Sequence, residues 1–311
     1  DPWNHVEAAM ALTVGGRVRE AGRAFRWLLR RQRRDGGWYA SYRDGRPVDL
    51  GIDVNFCAYA ATGLWHHTVA TGDDALLREA WPAIERAIAL TLALQRPTGE
   101  IAWAYRADGR PHDFALLTSS SAIHLSLRCA AAAAVHLGRG HDSVAWELAA
   151  DALADAVALR PELFADKSEF SMDWYYPVLG GCVTGPAARV RLAEGWDEFV
   201  VDDVGARCVA GRPWFTAAET CELVLALDAI GRPDQARSLF DAGQCMRADS
   251  GGYWTGIVLP EGCPWPAEQP AWTAAAVVLA ADALLGLTPA SGFFRALHSG
   301  GADALLEAEG A

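Results

Sequence analysis

The stretch Gln32–Ala40, "QRRDGGWYA", follows an arginine-rich amphipathic run, Arg17–Arg31, and a variant returns 63 residues later as "QRPTGEIAWA", starting at Gln95. Each copy carries a glutamine at the end of a helical pattern, a glycine four residues on and a tryptophan beyond it (Gln32, Gly36, Trp38; Gln95, Gly99, Trp103). Glycine tolerates the left-handed turn that a tight helix exit needs. A third copy, "MRADSGGYW" from Met246, keeps Gly251, Gly252 and Trp254 but has no aligned glutamine. A corner that recurs in this way marks an internal repeat of helical hairpins.

Around these corners two kinds of helical pattern alternate. One is nearly uncharged and rich in small residues: "WNHVEAAMAL", "NFCAYAATGLW", "ALLTSSSAIHLSLRCAAAAAV", "YYPVLGGCV", "WFTAAETCELVLAL" and "AWTAAAVVLAADALL". A helix that is apolar nearly all round is buried on all sides. The other is amphipathic and charged, as in "DALLREAWPAIERAIALTLALQ" and "PDQARSLFDAG", and belongs outside. The buried segments open on repeated start signals: Asp1, then Asp53, Asp113 and Asp173 spaced 60 apart, then Pro-Trp and Pro-Ala-Trp. Asp at a cap and proline in the first turn are ordinary ways to begin a helix. Six inner helices alternating with outer ones predict an all-α (α/α)6 toroid, a barrel of six helical hairpins, as a single domain over residues 1–311. Near residues 196–212, "WDEFVVDDVGARCV" alternates apolar residues around a turn and predicts a short β-hairpin or irregular insertion.

The Gln-x-x-x-Gly-x-Trp unit of Gln32, Gly36 and Trp38 resembles the QW motif of the terpenoid cyclase and protein prenyltransferase toroids. The same corner also resembles that of the six-hairpin glycosidases. "DPWNHVEAAMAL", "SMDWYYPVLGG" and "PWFTAAETCELVLALDAIG" are similar to actinobacterial proteins called prenyltransferases. These resemblances imply the toroid, and two candidate activities with it.

Composition narrows the function. The formal net charge is −12 and the pI about 5.1, so the chain offers no diffuse positive field for a phosphate backbone or an anionic membrane. Lys167 is the only lysine, which leaves Schiff-base chemistry almost without a candidate. The seven cysteines form no C-x-x-C pair, and His66 and His67 are adjacent rather than a helical turn apart. Free thiols, no metal and no cofactor are expected. "DPWNHVEAAM" shows no basic-then-apolar leader, and no apolar run is long enough to span a bilayer. A cytoplasmic protein is the expectation.

The helix starts of a toroid surround one mouth. That places four carboxylates there as candidate catalytic groups: Glu7, Asp53, Asp173 and Glu219. Candidate substrate-binding residues are Trp3, Asn4, Asn55, Asp113, Trp174, Tyr175, Trp214, Glu268 and Trp272. Carboxylates and amides interleaved with aromatics suit a sugar, whose hydroxyl edge and C–H face need both. Glycosidic cleavage needs two carboxyls across the bond, about 5–5.5 Å apart for retention or about 6.5–9.5 Å for inversion. Glu219, inside the uncharged "TAAETCELVLAL", is the expected acid because burial raises its pKa, with Glu7 in a similar setting. Asp53 or Asp173 is the expected base. The sequence therefore predicts a glycoside hydrolase acting on a small-molecule sugar or glycoside.

The alternative is an isoprenoid enzyme of the same toroid, for prenyl transfer or terpenoid cyclisation; it ranks second because "GDDALL" and "VVDDVG" satisfy neither D-D-x-x-D nor D-x-D-D. In a non-catalytic binding toroid, Glu7 and Glu219 would instead be tied to arginines such as Arg189 or Arg207.

Overall fold

A computed structural model of the chain describes residues 1–299; the end of the expected 1–311 domain lies outside the described residues. Five helical hairpins follow one another: α1 (Pro2–Val14) with α2 (Val18–Leu29), α3 (Val54–Thr71) with α4 (Ala75–Leu92), and α5 (Leu117–His136) with α6 (Gly140–Leu159). Then come α7 (Ser171–Leu179) with α8 (Gly185–Glu194) and the short α9 (Trp196–Phe199), and α10 (Ala217–Ala229) with α11 (Pro233–Ala242). The sixth inner helix is α12 (Ala271–Leu285). Helices α1, α3, α5, α7, α10 and α12 each pack on the next, and α12 returns to α1, so the inner ring closes.

The two sequence patterns explain the two layers. In α5 every residue from Ala130 to Ala134 is fully buried, whereas α2 buries only one stripe, Ala21, Gly22, Phe25 and Leu28. Small residues let the inner helices approach closely. A Cβ on Gly180 would lie 2.3 Å from the Ser121 carbonyl, and the Thr62 and Ser126 hydroxyls meet at 3.0 Å between α3 and α5.

The repeated corner is a clamp between outer helices. The Gln32 amide donates to the Gly36 carbonyl at 2.8 Å and to Ala83 of α4 at 2.7 Å. Gln95 does the same one hairpin later, to Gly99 at 3.1 Å and Ala149 of α6 at 2.9 Å. Gly36 and Gly99 have φ of 95° and 100°, and a Cβ on either would lie within 2.4 Å of a backbone carbonyl of the next outer helix.

The sixth hairpin closes differently. After Gly286 the chain makes a 3-10 turn, Pro289–Gly292, and a short helix α13 (Phe293–Ala296) that tuck under the end of the barrel opposite the mouth. Phe293 meets His66 edge to face, Arg295 pairs with Asp228, and the His298 ring contacts the Val178 carbonyl at 2.9 Å.

At the mouth, short strands build a rim that the sequence reading anticipated only in one place. The hairpin β1 (Ser41–Arg43) with β2 (Arg46–Asp49) and the pair β3 (Ile52–Asp53) with β4 (Ala104–Tyr105) stand over α3. The expected insertion is α9 followed by the hairpin β5 (Val200–Val201) and β6 (Gly205–Ala206). A three-stranded sheet of β7 (Trp214–Thr216), β8 (Gly256–Val258) and β9 (Cys263–Pro264) stands over α10. Among the described residues no single helix is long and apolar enough to cross a membrane, and no group of three or more His, Cys, Asp or Glu side chains is placed to hold a metal.

Candidate active site

Three glutamates come together on the inner helices. Glu7 lies one turn inside α1, and Glu219 and Glu222 occupy one face of α10 at i and i+3. All three are buried, and their charges act on one another. A carboxylate removed from water needs partners, and here the partners are hydroxyls and an indole. Trp3 donates its indole N–H to Glu7 Oε1 at 2.9 Å, and the Tyr59 hydroxyl donates to the same oxygen at 3.4 Å. Tyr176 donates to Glu222 Oε1 at 2.8 Å and Tyr175 to Oε2.

The rings of this layer meet across the axis. Trp3 touches Tyr59 of α3 and, edge to face with centroids 5.7 Å apart, Tyr176 of α7 on the far side of the ring. Burial pushes the Glu7 carboxyl up to about 7, offset by the Trp3 and Tyr59 bonds and reinforced by Glu219. Burial, with Glu7 adding to it, raises Glu222 far above the carboxylate range.

Above the layer, Asp53 lines a mouth cavity of about 400 Å³ together with Asp1, Asp49, Phe56, Trp103 and His112. Asp53 caps α3: its Oδ1 accepts the Asn55 amide at 2.9 Å and the Phe56 amide at 3.4 Å. Its Oδ2 accepts the Trp103 indole N–H at 2.6 Å. Burial raises this carboxyl to about 6 in spite of the three donors, each of which favours the ionised form.

The other expected residues divide between the site and the scaffold. Asp173 does not start its own helix, which begins at Ser171. Instead its Oδ1 accepts the Thr118 amide (3.3 Å) and hydroxyl (2.6 Å), capping the neighbouring α5. Asp113 is no cap either, because α5 begins at Leu117. It is an exposed loop residue whose carbonyl accepts Arg96. Asn4 sits partly exposed beside Asp1, whose carboxylate accepts the Asn4 amide. Asn55 is fully buried and neither side-chain atom has a hydrogen-bond partner, nor has Glu219 Oε2.

Trp174 is buried, stacks on Phe199 and donates to the Arg191 carbonyl at 2.7 Å; it is packing between α7 and α9 rather than an open platform. Tyr175 is wholly enclosed under Glu222. Trp214 and Trp265 meet edge to face, Trp214 donating to the Trp265 carbonyl at 2.8 Å. Glu268 is exposed near Thr255, and Trp272 is half-buried.

Neither Glu7 nor Glu219 forms an ion pair among the described residues, and Arg207 instead reaches the Glu198 carbonyl. The sequence reading passed over Glu222, Tyr59, Tyr176, Trp103 and Asp49. Glu222 carried a signal, since a second glutamate three residues after Glu219 shares its helix face. Trp103 belongs to the repeated corner and is the donor to Asp53 as well.

No family model matches the chain. Over 295 residues, 95% of its length, the chain is 49% identical to the MMP endo-(1,4)-3-O-methyl-alpha-D-mannosidase of Mycolicibacterium hassiacum, covering 81% of that protein. A solved glycosidase superposes with a TM-score of 0.73 at 17% identity, over 93% of this chain and 88% of that one. A bacterial glucoamylase complexed with acarbose gives 0.70 at 14% identity, over 98% of this chain and 50% of its own. At such identities the two structures speak for the toroid alone.

Proposed function

We propose, because the chain belongs to the family of the MMP endo-(1,4)-3-O-methyl-alpha-D-mannosidase, that it is an endo-acting glycoside hydrolase of (1,4)-linked 3-O-methyl-α-mannosides. The observation that carries the chemistry is two buried carboxyls on successive inner helices, Asp53 in the mouth cavity and Glu7 in the layer beneath it, linked by the contact between Trp3 and Phe56, with burial raising Asp53 to about 6 and Glu7 to about 7. Glu7 is the general acid. Both of its donors fall on Oε1, so the proton of the neutral form resides on Oε2 and is available to the glycosidic oxygen. Asp53 is the base. Three donors orient it and favour its ionised form, ready to take a proton from the water that adds to the anomeric carbon.

Hydrolysis then balances: Glu7 protonates the leaving oxygen, water supplies hydroxide to the sugar, and Asp53 receives the remaining proton. Glu219 stands in this reading as the charge that helps keep Glu7 protonated. The aromatic mouth suits an O-methylated sugar, in which a methyl group replaces a hydroxyl donor. Trp3 and Phe56 form the sill between the two carboxyls, and Trp103 forms a wall.

The test is to incubate the purified protein with (1,4)-linked 3-O-methyl-α-mannose oligosaccharides and to follow chain length by mass spectrometry. Internal cleavage into shorter oligosaccharides is expected, with activity rising as Asp53 ionises through about 6 and falling as Glu7 deprotonates through about 7. Unchanged substrate at every pH overturns the proposal.

A further inference from the structure

We infer that the toroid carries a second sugar-binding subsite, away from the Glu7–Asp53 pair, in a cavity of about 510 Å³ between α7, α8 and the loop leading into α7. The inference deepens the function proposed above and takes its ligand class from it. The cavity opens on the mouth face, because its walls include Leu117 at the start of α5, Asp173 in the first turn of α7 and Glu194 at the end of the antiparallel α8. It shares no lining residue with the mouth cavity, to which the connection 106–116 between β4 and α5 contributes Arg106, Ala107 and His112.

Its polar groups are held ready for neighbouring hydroxyls. Asp173 spends only Oδ1 on Thr118, and its Oδ2 makes no hydrogen bond among the described residues. Arg191 donates from Nε to the Trp174 carbonyl and from Nη2 to the Asp173 carbonyl, both at 2.7 Å, so its guanidinium is clamped while Nη1 stays uncommitted. A fixed donor beside a fixed acceptor matches two adjacent ring hydroxyls, and the edges of the otherwise buried Phe164 and Phe199 make the apolar part of the lining. Carboxylates outnumber the two cations in the lining, Arg191 and Lys167, which selects a neutral ligand over an anionic one. An endo-acting enzyme grips its chain beyond the scissile bond, and a second cavity on the mouth face, with its own lining, suits a distant unit of a long substrate.

The experiment compares substrate lengths. Glu194→Trp places a bulky ring in the cavity from a side chain that makes no hydrogen bond or ion pair among the described residues. A loss of about tenfold in kcat/KM on long oligosaccharides, with the disaccharide or trisaccharide turned over as by the wild type, is expected. Equal effects at all lengths, or none, overturn the subsite. If the wild type cleaves nothing, the functional proposal has failed on its own. Calorimetric titration of both proteins with the long oligosaccharide then decides the subsite: binding weakened about tenfold by Glu194→Trp supports it, and unchanged or undetectable binding overturns it.

Discussion

Asp53 at the rim and Glu222 at the axis are both buried carboxyls on inner helices, and they are satisfied in opposite ways. Asp53 sits at a helix start, where backbone amides have no intrahelical partner, and two of them bind its Oδ1. Glu222 lies a turn and a half inside α10, where every amide is already used. Its donors come from side chains of another helix, Tyr175 and Tyr176 of α7. Amides that can serve only an anion moderate the rise at Asp53, to about 6, whereas at Glu222 burial and the charge of Glu7 prevail. Position along the helix thus separates carboxyls raised only to about 6 or 7 from one pushed well above the ordinary carboxylate range. Glu7, with donors on one oxygen only, falls between them.

The largest effect expected from that contrast is on turnover. Glu7→Gln keeps an acceptor for Trp3 and Tyr59 and removes the transferable proton, so kcat should fall about 10²–10⁴-fold with the melting temperature little changed. Full turnover by the glutamine variant would move the acid elsewhere, with Glu219 first in line.

Next in size is the loss of a carboxyl that only the fold needs. Glu222→Ala strands two buried phenol hydroxyls and should cost about 2–6 kcal/mol, as orphaned polar groups cost about 1–3 kcal/mol each, measured by urea unfolding. A raised folded pKa also has a sign. The native state holds the Glu222 proton longer than the unfolded chain does, so the stability it contributes is complete below the ordinary carboxyl value of about 4.3 and is lost as pH rises toward the folded value. Glu222→Gln should therefore flatten the decline of melting temperature with rising pH, and an unaltered slope would show that the axial layer ionises freely.

The same contrast explains which features could be read from the sequence. Gln32 and Gln95 recur with their glycines because each clamps the next outer helix, and a repeated contact leaves a repeated motif. The copy at Gly251 has no glutamine, and the outer element that follows it is the short tucked segment around α13 rather than a full helix. The 60-residue spacing of Asp53, Asp113 and Asp173 was equally visible but held three different roles: a cap for its own helix, an exposed loop residue and a cap for a neighbour. Local spacing says that a helix begins nearby; it does not say whose amides a side chain will reach. The Tyr–Glu layer was hidden for the same reason. Its bonds join residues 46–52 positions apart, and phenols inside apolar helices look like ordinary core.

A smaller effect tests whether donors set the poise of the rim. Trp103→Phe preserves the stacking on Phe114, where the rings now lie 5.4 Å apart at 26°, and deletes the bond to Asp53 Oδ2. That bond favours the carboxylate. The acidic limb of the pH–rate profile should move upward from about 6, the alkaline limb should stay, and kcat at the optimum should fall only modestly. A uniform loss with unmoved limbs would make Trp103 a structural wall rather than a positioning residue.

The smallest expected change lies at Glu219, and it separates two roles for one residue. Its charge is one of the causes that raise Glu7, behind burial. Glu219→Gln removes the charge and keeps the volume, so Glu7 should give up its proton at lower pH and the alkaline limb should slide down from about 7, with the acidic limb fixed. The plateau rate should change little, because the glutamine leaves the Trp3 and Tyr59 bonds in place. A plateau lost by orders of magnitude would instead mean that Glu219, with its unpartnered buried oxygen, itself takes or gives a proton. The division of labour between α1 and α10 would then be reversed, and the limbs of the Glu219→Gln and Glu7→Gln profiles would identify which carboxyl each one reports.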